Sequence, residues 1–485
     1  MVFASFVFLF WFLPLFVPLY FAAPTRWRNL ALTLGSFVFY GWWRPQYVLL
    51  MLGSVTIDYL AARLMGERHA AAKDAGEPGG GDDGAELGGR LSCSRRSRGR
   101  KLYLLLSVGA NLALLGWFKY ANLFVETWND VAPWPVEWEK VLLPVGISFF
   151  TFQSMSYTID VYRGDVKPTR SFFDLLCYVS MFPQLVAGPI VRYRDIEKSL
   201  KKRAVDLRMA SDGVLLFALG FSKKVLIADS VGPLVDQVYA ADAPGMLAAW
   251  LAAFGYSIQI YFDFSGYSDM AIGLGLLLGF RFPENFRSPY RSQSITELWR
   301  RWHISLSTWL RDYLYVTLGG NRKGELRAQI NVAVTMLLGG LWHGASWTYM
   351  LWGGWHGLFL VLERRLGKVS PYGGLPRSGQ VFCTFLIWTL GLVIFRCQTL
   401  TELRDTGLGL VGANGVGGVP QLGQQQPFLY GGFVLGLLIV FAMPRSEQLV
   451  RRCHPLVMLG ALLVFALAVC HLLAADFVPF IYYQF

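Results

Sequence analysis

Apolar runs of membrane-span length set the rhythm of this chain. They occupy residues 1–23 and recur near 30–43, 46–64, 102–124, 141–160, 172–191, 211–240, 246–280, 328–362, 379–396, 427–443 and 455–475, with short polar loops between them. About twenty apolar residues in a helix cross the hydrocarbon core of a bilayer. Several runs are longer than one span or rich in Gly and Pro, which predicts broken or re-entrant helices. The pattern therefore predicts an all-α, polytopic membrane protein with 11–13 membrane segments, and residues 1–485 read as one integral-membrane domain. The first run, MVFASFVFLFWFLPLFVPLYFAA, lacks a basic start and a cleavage site, so it reads as a retained first helix. One insertion interrupts the pattern. Residues 66–101 hold AGEPGGGDDG and then SCSRRSRGRK, a composition unable to bury a core, and read as a flexible cytoplasmic loop.

Composition agrees with that class. Hydrophobic residues make up 54% of the chain and charged residues 16%, whereas soluble domains carry about 25% charged residues. The net charge of +12 comes from lysines and arginines in the loops, where an excess marks the cytoplasmic side. That placement argues against a nucleic-acid partner; membrane lipid is the expected surrounding. Arg26 and Arg28 after the first run place the N-terminus outside, and the basic loop PRSEQLVRRCHP (444–455) sends the last span outward. Both termini, including the tail at 476–485, are thus expected on the periplasmic side. The six cysteines show no paired spacing and suggest neither a disulfide framework nor a metal site.

Few polar groups in the apolar runs are chemical candidates. His343 lies in MLLGGLWHGASWTYM, with no charged residue between Arg327 and Glu363. A polar residue that deep in a membrane is costly and points to function, or else to a bond with a neighbouring helix. Gly339, Gly340 and Gly344 weaken a helix there, and broken backbone at that depth must line protein or a cavity. His356 repeats the local pattern in WGGWHG and reads as packing. His303 lies in SITELWRRWHISLSTWLRDYLY, where Ser294 and Glu297 have capping-box spacing. The aromatic and basic residues that follow predict a helix lying in the headgroup plane. On that helix His303 and Ser307 share a face while Asp312 lies roughly opposite, which argues against a His–Asp couple within it. Upstream, Asp263 and Asp269 stand in the apolar run YSIQIYFDFSGYSDMAIGLGLLLGF and need partners. They form either a structural staple or a proton or cation path.

The stretches YFDFSGYSDMAIG, WRRWHISLSTWLRDYLY, GGNRKG and LLGGLWHGASWTY, in that order, resemble the membrane-bound O-acyltransferase family. The resemblance is to its bacterial alginate O-acetyltransferase branch, and extends through FYGWW, GWFKYANLF, MFPQLVAGPI and FSKKVLIAD. It implies that His343 is the family's invariant histidine and that His303 is its second, both lining a tunnel between a cytoplasmic thioester donor and a hydroxyl acceptor on the far side. It further implies an enzyme of the bacterial inner membrane that transfers acetyl from acetyl-CoA. The implied partner is a periplasmic esterase-like acetyltransferase that modifies an exopolysaccharide such as alginate. Histidine suits the chemistry, since a hydroxyl acceptor needs a base of near-neutral pKa to take its proton. Lys223 and Lys224 of FSKKVLIAD are candidates for the CoA phosphates, and Asp263, Asp269 and Asp312 for supporting polar roles. No permanently bound cofactor and no metal is implied.

A related branch, the D-alanine exporters of teichoic acid modification, works with a small partner ending in a motif like Phe-Ile-Tyr-Phe-x-Phe. This chain ends Phe480-Ile481-Tyr482-Tyr483-Gln484-Phe485, which resembles that motif with Tyr483 replacing Phe. The resemblance makes Tyr482 the acyl-carrier candidate; without it, the tail reads as an interfacial aromatic anchor. Two other functions share these features: a D-alanyl or other acyl exporter fed by a carrier protein, and a secondary transporter using Asp263 and Asp269.

Overall fold

The computed structural model describes residues 1–74, 87–367, 369–417, 426–451, 454–474 and 481, and only the backbone of 68–74, 87–98 and 426–429. Among the described residues the regular elements are all helical. Four helices among the described residues are long and apolar enough to cross a membrane, at 47–67, 99–131, 377–396 and 455–474, and shorter apolar helices lie at 8–22 and 430–442. The long runs divide as their Gly and Pro content predicts. Residues 211–240 split into two helices around a wide turn, and 328–362 split at Gly344. The run 246–280, by contrast, is one helix of 32 residues. Helix also occupies 66–74 and 87–101, where the flexible loop is expected; residues 75–86 lie outside the described residues.

Contacts divide the chain into two compact units, the first made of Met1, 10–186 and 190–203, the second of 2–9, 187–189 and 204–485. The first unit contains α1 (Leu13–Ala22), α2 (Arg28–Gly41), α3 (Tyr47–Asp74), α4 (Leu87–Val131), α5 (Ile147–Arg163), α6 (Phe172–Ser180), α7 (Phe182–Leu185) and α8 (Tyr193–Lys201). Its core is tied by one buried carboxyl. Asp58 on α3 accepts hydrogen bonds from the Ser107 hydroxyl and the Asn111 amide of α4 and from the Ser154 hydroxyl of α5. Ser54 closes the network on Asn111 Oδ1 at 2.7 Å. All five side chains are buried, and polar groups buried at membrane depth must satisfy one another.

The second unit contains α9 (Leu207–Lys223), α10 (Asp229–Tyr239), α11 (Met246–Leu277), α12 (Ile295–Trp299), α13 (Ile304–Trp309), α14 (Glu325–His343), α15 (Trp347–Arg365), α16 (Arg377–Arg396), α17 (Leu400–Leu410), α18 (Gln426–Ala442), α19 (Ser446–Arg451) and α20 (Pro455–Ala474). Glycines set its closest packing. A Cβ on Gly220 would stand 2.5 Å from the Gly266 carbonyl oxygen, and one on Gly266 2.6 Å from that of Gly220. Gly213 and Gly273 repeat the reciprocal contact at 2.7 and 2.6 Å. The pairs lie seven residues apart on each helix, in opposite order, so α9 and α11 run antiparallel with their backbones in contact. Small residues allow this approach where lipid supplies no hydrophobic drive between helices. The contact sets the end of α9, and with it Lys223 and Lys224, beside the acidic residues of α11.

Interhelical side-chain bonds in membrane proteins contribute on average about 0.6 kcal/mol each and at most about 1.7. Asp58→Ala removes the shared acceptor of three donors, so it is expected to destabilise the protein by roughly 2–4 kcal/mol. Thermal unfolding in detergent reads this as a midpoint several degrees lower; an unchanged midpoint would show that the network holds nothing.

Candidate active site

The single amphipathic helix expected after Ser294 is two short helices. Ser294 does cap α12, its hydroxyl accepting from the Glu297 N–H at 3.0 Å, while Glu297 reaches back to the N–H of Gln293 at 2.7 Å. The helix stops at Trp299, and α13 starts again at Ile304. Between them His303 takes the left-handed conformation, φ 43° and ψ 54°. For a residue other than glycine this costs of order 1–3 kcal/mol and persists only where surroundings enforce it. Two backbone bonds enforce it here: Arg287 N–H to the Arg301 carbonyl at 2.8 Å, and Ile304 N–H to the Asn285 carbonyl at 3.0 Å. The aromatic stripe also points inward, with Trp302, Trp309 and Tyr313 buried. Protein packing, rather than the headgroup plane, takes these rings.

A carboxylate from α15 fixes the start of this segment. Buried Glu363 accepts from the N–H groups of Ile295 and Thr296, each at 2.8 Å, and from the Ser370 hydroxyl at 3.2 Å. The first N–H groups of a helix have no partner within it, and a buried anion meets both needs at once.

Asn285 fixes the imidazole. Its side-chain oxygen lies 3.2 Å from His303 Nδ1 and accepts from Ser305 N–H at 3.2 Å and from the Ser305 hydroxyl at 2.9 Å. Its NH2 group donates to the Ser268 hydroxyl of α11 at 3.1 Å. An amide oxygen only accepts, so Nδ1 carries the proton and the Nε2 lone pair is free to act as an acceptor or base. Nε2 is buried without a hydrogen-bond partner among the described residues. Phe264 of α11 packs its ring against the imidazole, with centroids 4.7 Å apart.

His343 stands beside it, ring centroids 6.3 Å apart. It is the last residue of α14 and is buried, with Trp342, Trp352 and Phe395 packed around it at 4.9, 5.1 and 5.4 Å. The helix runs unbroken through Gly339 and Gly340 and ends only after His343. Gly340 instead allows close approach, since a Cβ there would lie 2.2 Å from the Tyr349 carbonyl of α15. At Gly344 a Cβ would meet the Tyr349 ring at 2.1 Å, so only glycine lets the chain turn away from the imidazole. His356 is packed as expected, against Trp299, Trp352 and Trp388. Trp352 touches both His343 and His356, which joins all three histidines in one aromatic cluster.

The other predicted polar residues have separate places. Lys223 pairs with Asp269 at 2.6 Å; buried Lys224 pairs with Asp229 and lies 3.3 Å from Asp263. Internal carboxylates therefore take both ammonium groups proposed for CoA phosphates. Asp263 and Asp269 belong to different ion pairs, so neither continues a path to the other. Asp312 pairs with its neighbour Arg311 at 2.7 Å. In the tail, Ile481 is described and buried, while Tyr482 and Tyr483 lie outside the described residues. A cavity of about 300 Å³ opens between α13, α14 and α15, lined by apolar Leu310, Val332, Met336 and Leu360, by Trp299, and by Arg311 and Arg364 among others.

Asn285 and Glu363 do not stand out in the sequence as site residues. Asn285 lies in RFPENFRSP, which looks like a polar loop, and Glu363 looks like the charge that ends an apolar run. The one usable signal is Glu363 itself, acidic among basic neighbours.

A buried imidazole with a free nitrogen, set against a second imidazole inside a helical membrane protein, is a centre for moving a proton where water is scarce. Residues 166–396, which carry both histidines and Asn285, match MBOAT, the membrane-bound O-acyltransferase family. The chain is 46% identical over 405 residues to the probable alginate O-acetylase AlgI of Pseudomonas putida, covering 82% of this chain and 78% of that one. It is 37% identical to the peptidoglycan O-acetyltransferase of Helicobacter pylori, over 65% of this chain and 66% of that one. It is 30% identical to the teichoic acid D-alanyltransferase of Bacillus subtilis, over 52% and 67%. The chain belongs to the membrane-bound O-acyltransferase family, and it is an O-acyltransferase.

A hydrogen bond to a charged group contributes about 1.5–3 kcal/mol. Glu363→Ala leaves two helix N–H groups unpaired and is expected to destabilise the protein by roughly 3–5 kcal/mol. Because α12 leads directly into His303, acyl transfer is expected to fall at least tenfold, and less in Glu363→Gln, which keeps an acceptor oxygen. Full activity in Glu363→Ala, measured on protein that remains folded, would separate the cap from the site.

Proposed function

We propose that this enzyme takes acetyl from acetyl-CoA on the cytoplasmic side of a bacterial inner membrane and relays it to a periplasmic acceptor for O-acetylation of an exopolysaccharide such as alginate. The observation that carries the reading is the buried pair, His303 with its tautomer set by Asn285 and His343 at 6.3 Å between ring centroids. The relatives described as alginate O-acetylases favour acetyl and a polysaccharide, as they cover far more of the chain than the D-alanyltransferases do. A transporter reading gains nothing from Asp263 and Asp269, which are held in different ion pairs.

The chemistry assigns each group a task. A hydroxyl oxygen attacks the thioester carbonyl while His343 takes its proton, and His303 Nε2 accepts from an amide N–H of the donor's pantetheine arm and so orients the thioester. The tetrahedral intermediate then collapses. Its C–S bond breaks, the CoA sulfur leaves with the proton from the His343 imidazolium, and the acetyl oxygen ester remains. The first hydroxyl is that of Tyr482, for which the loop charges favour the periplasmic side. A phenol with a pKa of about 10 needs such a base, and its ester is activated enough to pass acetyl to a serine of a periplasmic transferase. Trp299 Nε1, Trp352 Nε1 and both ring nitrogens of His356 are buried without partners among the described residues. Buried polar groups are normally satisfied, so they are suited to a substrate oxygen or ordered water. The cavity beside Trp299, whose wall combines apolar side chains with Arg311 and Arg364, is suited to the thioester arm, with Trp352 between Trp299 and His343.

Vesicles bearing the purified protein and given acetyl-labelled CoA test this. Label is expected on Tyr482, and Tyr482→Phe is expected to lose it. General-base catalysis contributes typically 10²–10⁴-fold, so His343→Ala is expected to slow transfer by about that factor and His303→Ala by less. Normal transfer in His343→Ala would refute the base, and the reverse ranking of the two variants would exchange their roles.

A further inference from the structure

Asp263 is the one buried carboxylate of this unit with a bond to the C-terminal tail among the described residues. Its Oδ2 accepts from the backbone N–H of Ile481 at 2.9 Å. Its Oδ1 lies 3.3 Å from Lys224 Nζ. The aspartate and lysine side chains are each about 3% exposed, and Ile481 is about 5% exposed.

We infer that Asp263, held by Lys224, is a docking residue for the protein's own C-terminal tail, and so positions Tyr482. This rests on the reading of Tyr482 as the acyl carrier. Three observations carry it.

The first is charge. Among the described residues Lys224 serves two carboxylates, Asp229 and Asp263. Asp263 thus shares its ammonium with Asp229, and a buried carboxylate needs further donors. The Ile481 N–H is such a donor, so the tail supplies what Asp263 needs at its second oxygen. An isolated structural ion pair would need no third element.

The second is local backbone. Lys224 begins a π-helical stretch, Lys224–Ala228, between α9 and α10. Such wide turns recur at functional sites. This one lets Lys223 and Lys224, adjacent in sequence, reach different carboxylates of α11, Asp269 and Asp263.

The third is distance along the chain. Phe264, the residue after Asp263, packs on the His303 ring at 4.7 Å. The residue after Ile481 is Tyr482, and consecutive Cα atoms are about 3.8 Å apart. One helix position therefore fixes the tail and its neighbour supports the imidazole. Because the bond is to backbone, docking does not depend on the side chain at 481. If Tyr482 carries the acetyl, a docked tail makes its encounter with the thioester intramolecular.

The experiment uses the full chain in vesicles, with the six native cysteines replaced by alanine and Ile481→Cys as reporter, provided this parent still transfers acetyl. A membrane-impermeant maleimide reads exposure of position 481, and acetyl-labelled CoA reads acylation of Tyr482. Asp263→Ala is expected to raise the maleimide rate at least tenfold and to lower the acylation rate at least tenfold. Asp263→Asn, which keeps an acceptor oxygen, is expected to restore much of both, as a packing defect would not; Lys224→Met is expected to fall between. An unchanged maleimide rate in both Asp263→Ala and Lys224→Met overturns the docking role. Exposure of the reporter thiol with acylation at the parent rate overturns the positioning role. If Tyr482 is never acylated even in the parent, the carrier reading fails, and the maleimide arm alone decides whether Asp263 holds the tail.

Discussion

The side-chain amide of Asn285 is the interaction on which the site depends. Its oxygen gathers the His303 ring and both the N–H and hydroxyl of Ser305, and its nitrogen reaches Ser268 on α11. In water such bonds are easily exchanged. In a buried site each unmade bond costs about 1–3 kcal/mol, so one amide can hold an imidazole in one tautomer and a backbone in a left-handed turn. Glu363 does the same about two turns earlier, where α12 would otherwise begin with unpaired N–H groups. The strain at His303 is thus offset by its neighbours and leaves Nε2 available.

Close backbone packing makes room for this polar centre. The reciprocal glycines of α9 and α11, and Gly340 and Gly353 between α14 and α15, bring helices together until carbonyl oxygens occupy the space of side chains. Where backbones touch, large aromatic side chains are excluded; they gather instead around the histidines, as Trp299, Trp352 and Trp388 do around His356. Lys223, Lys224, Asp263 and Asp269 lie at the same α9–α11 contact. Their charges are satisfied inside the protein, consistent with the high cost of unpaired charge at membrane depth.

Much of this is legible in the sequence, and what is not has a common cause. Apolar runs reveal the helical class because length and hydropathy are local properties. His303 and His343 stand out because an imidazole between apolar residues has no cheap explanation. The cap at Ser294 is readable too, because capping depends on a spacing of three. The continuity of the following helix is not, because its break at His303 is imposed by backbone bonds to Asn285 and Arg287, eighteen and sixteen residues earlier. The glycines before His343 look like helix breakers, yet packing of Gly339 against Leu310 and of Gly340 against Tyr349 and Gly353 makes them contact points within an unbroken helix. Lys223 and Lys224 look like free cations for CoA phosphates because Asp269 and Asp263, which they reach on α11, lie some forty residues further along the chain. Propensity and spacing see neighbours in the chain; these features are set by neighbours in space.

The central claim is that Asn285 contributes to acyl transfer by orienting His303. A double-mutant cycle on transfer rate tests it most directly, using Asn285→Ala, His303→Ala and the pair. If the amide works through the imidazole, the double variant is no slower than His303→Ala alone, because no oriented ring is left to lose. If the two losses multiply, Asn285 acts independently of His303 and the oriented-imidazole centre is contradicted.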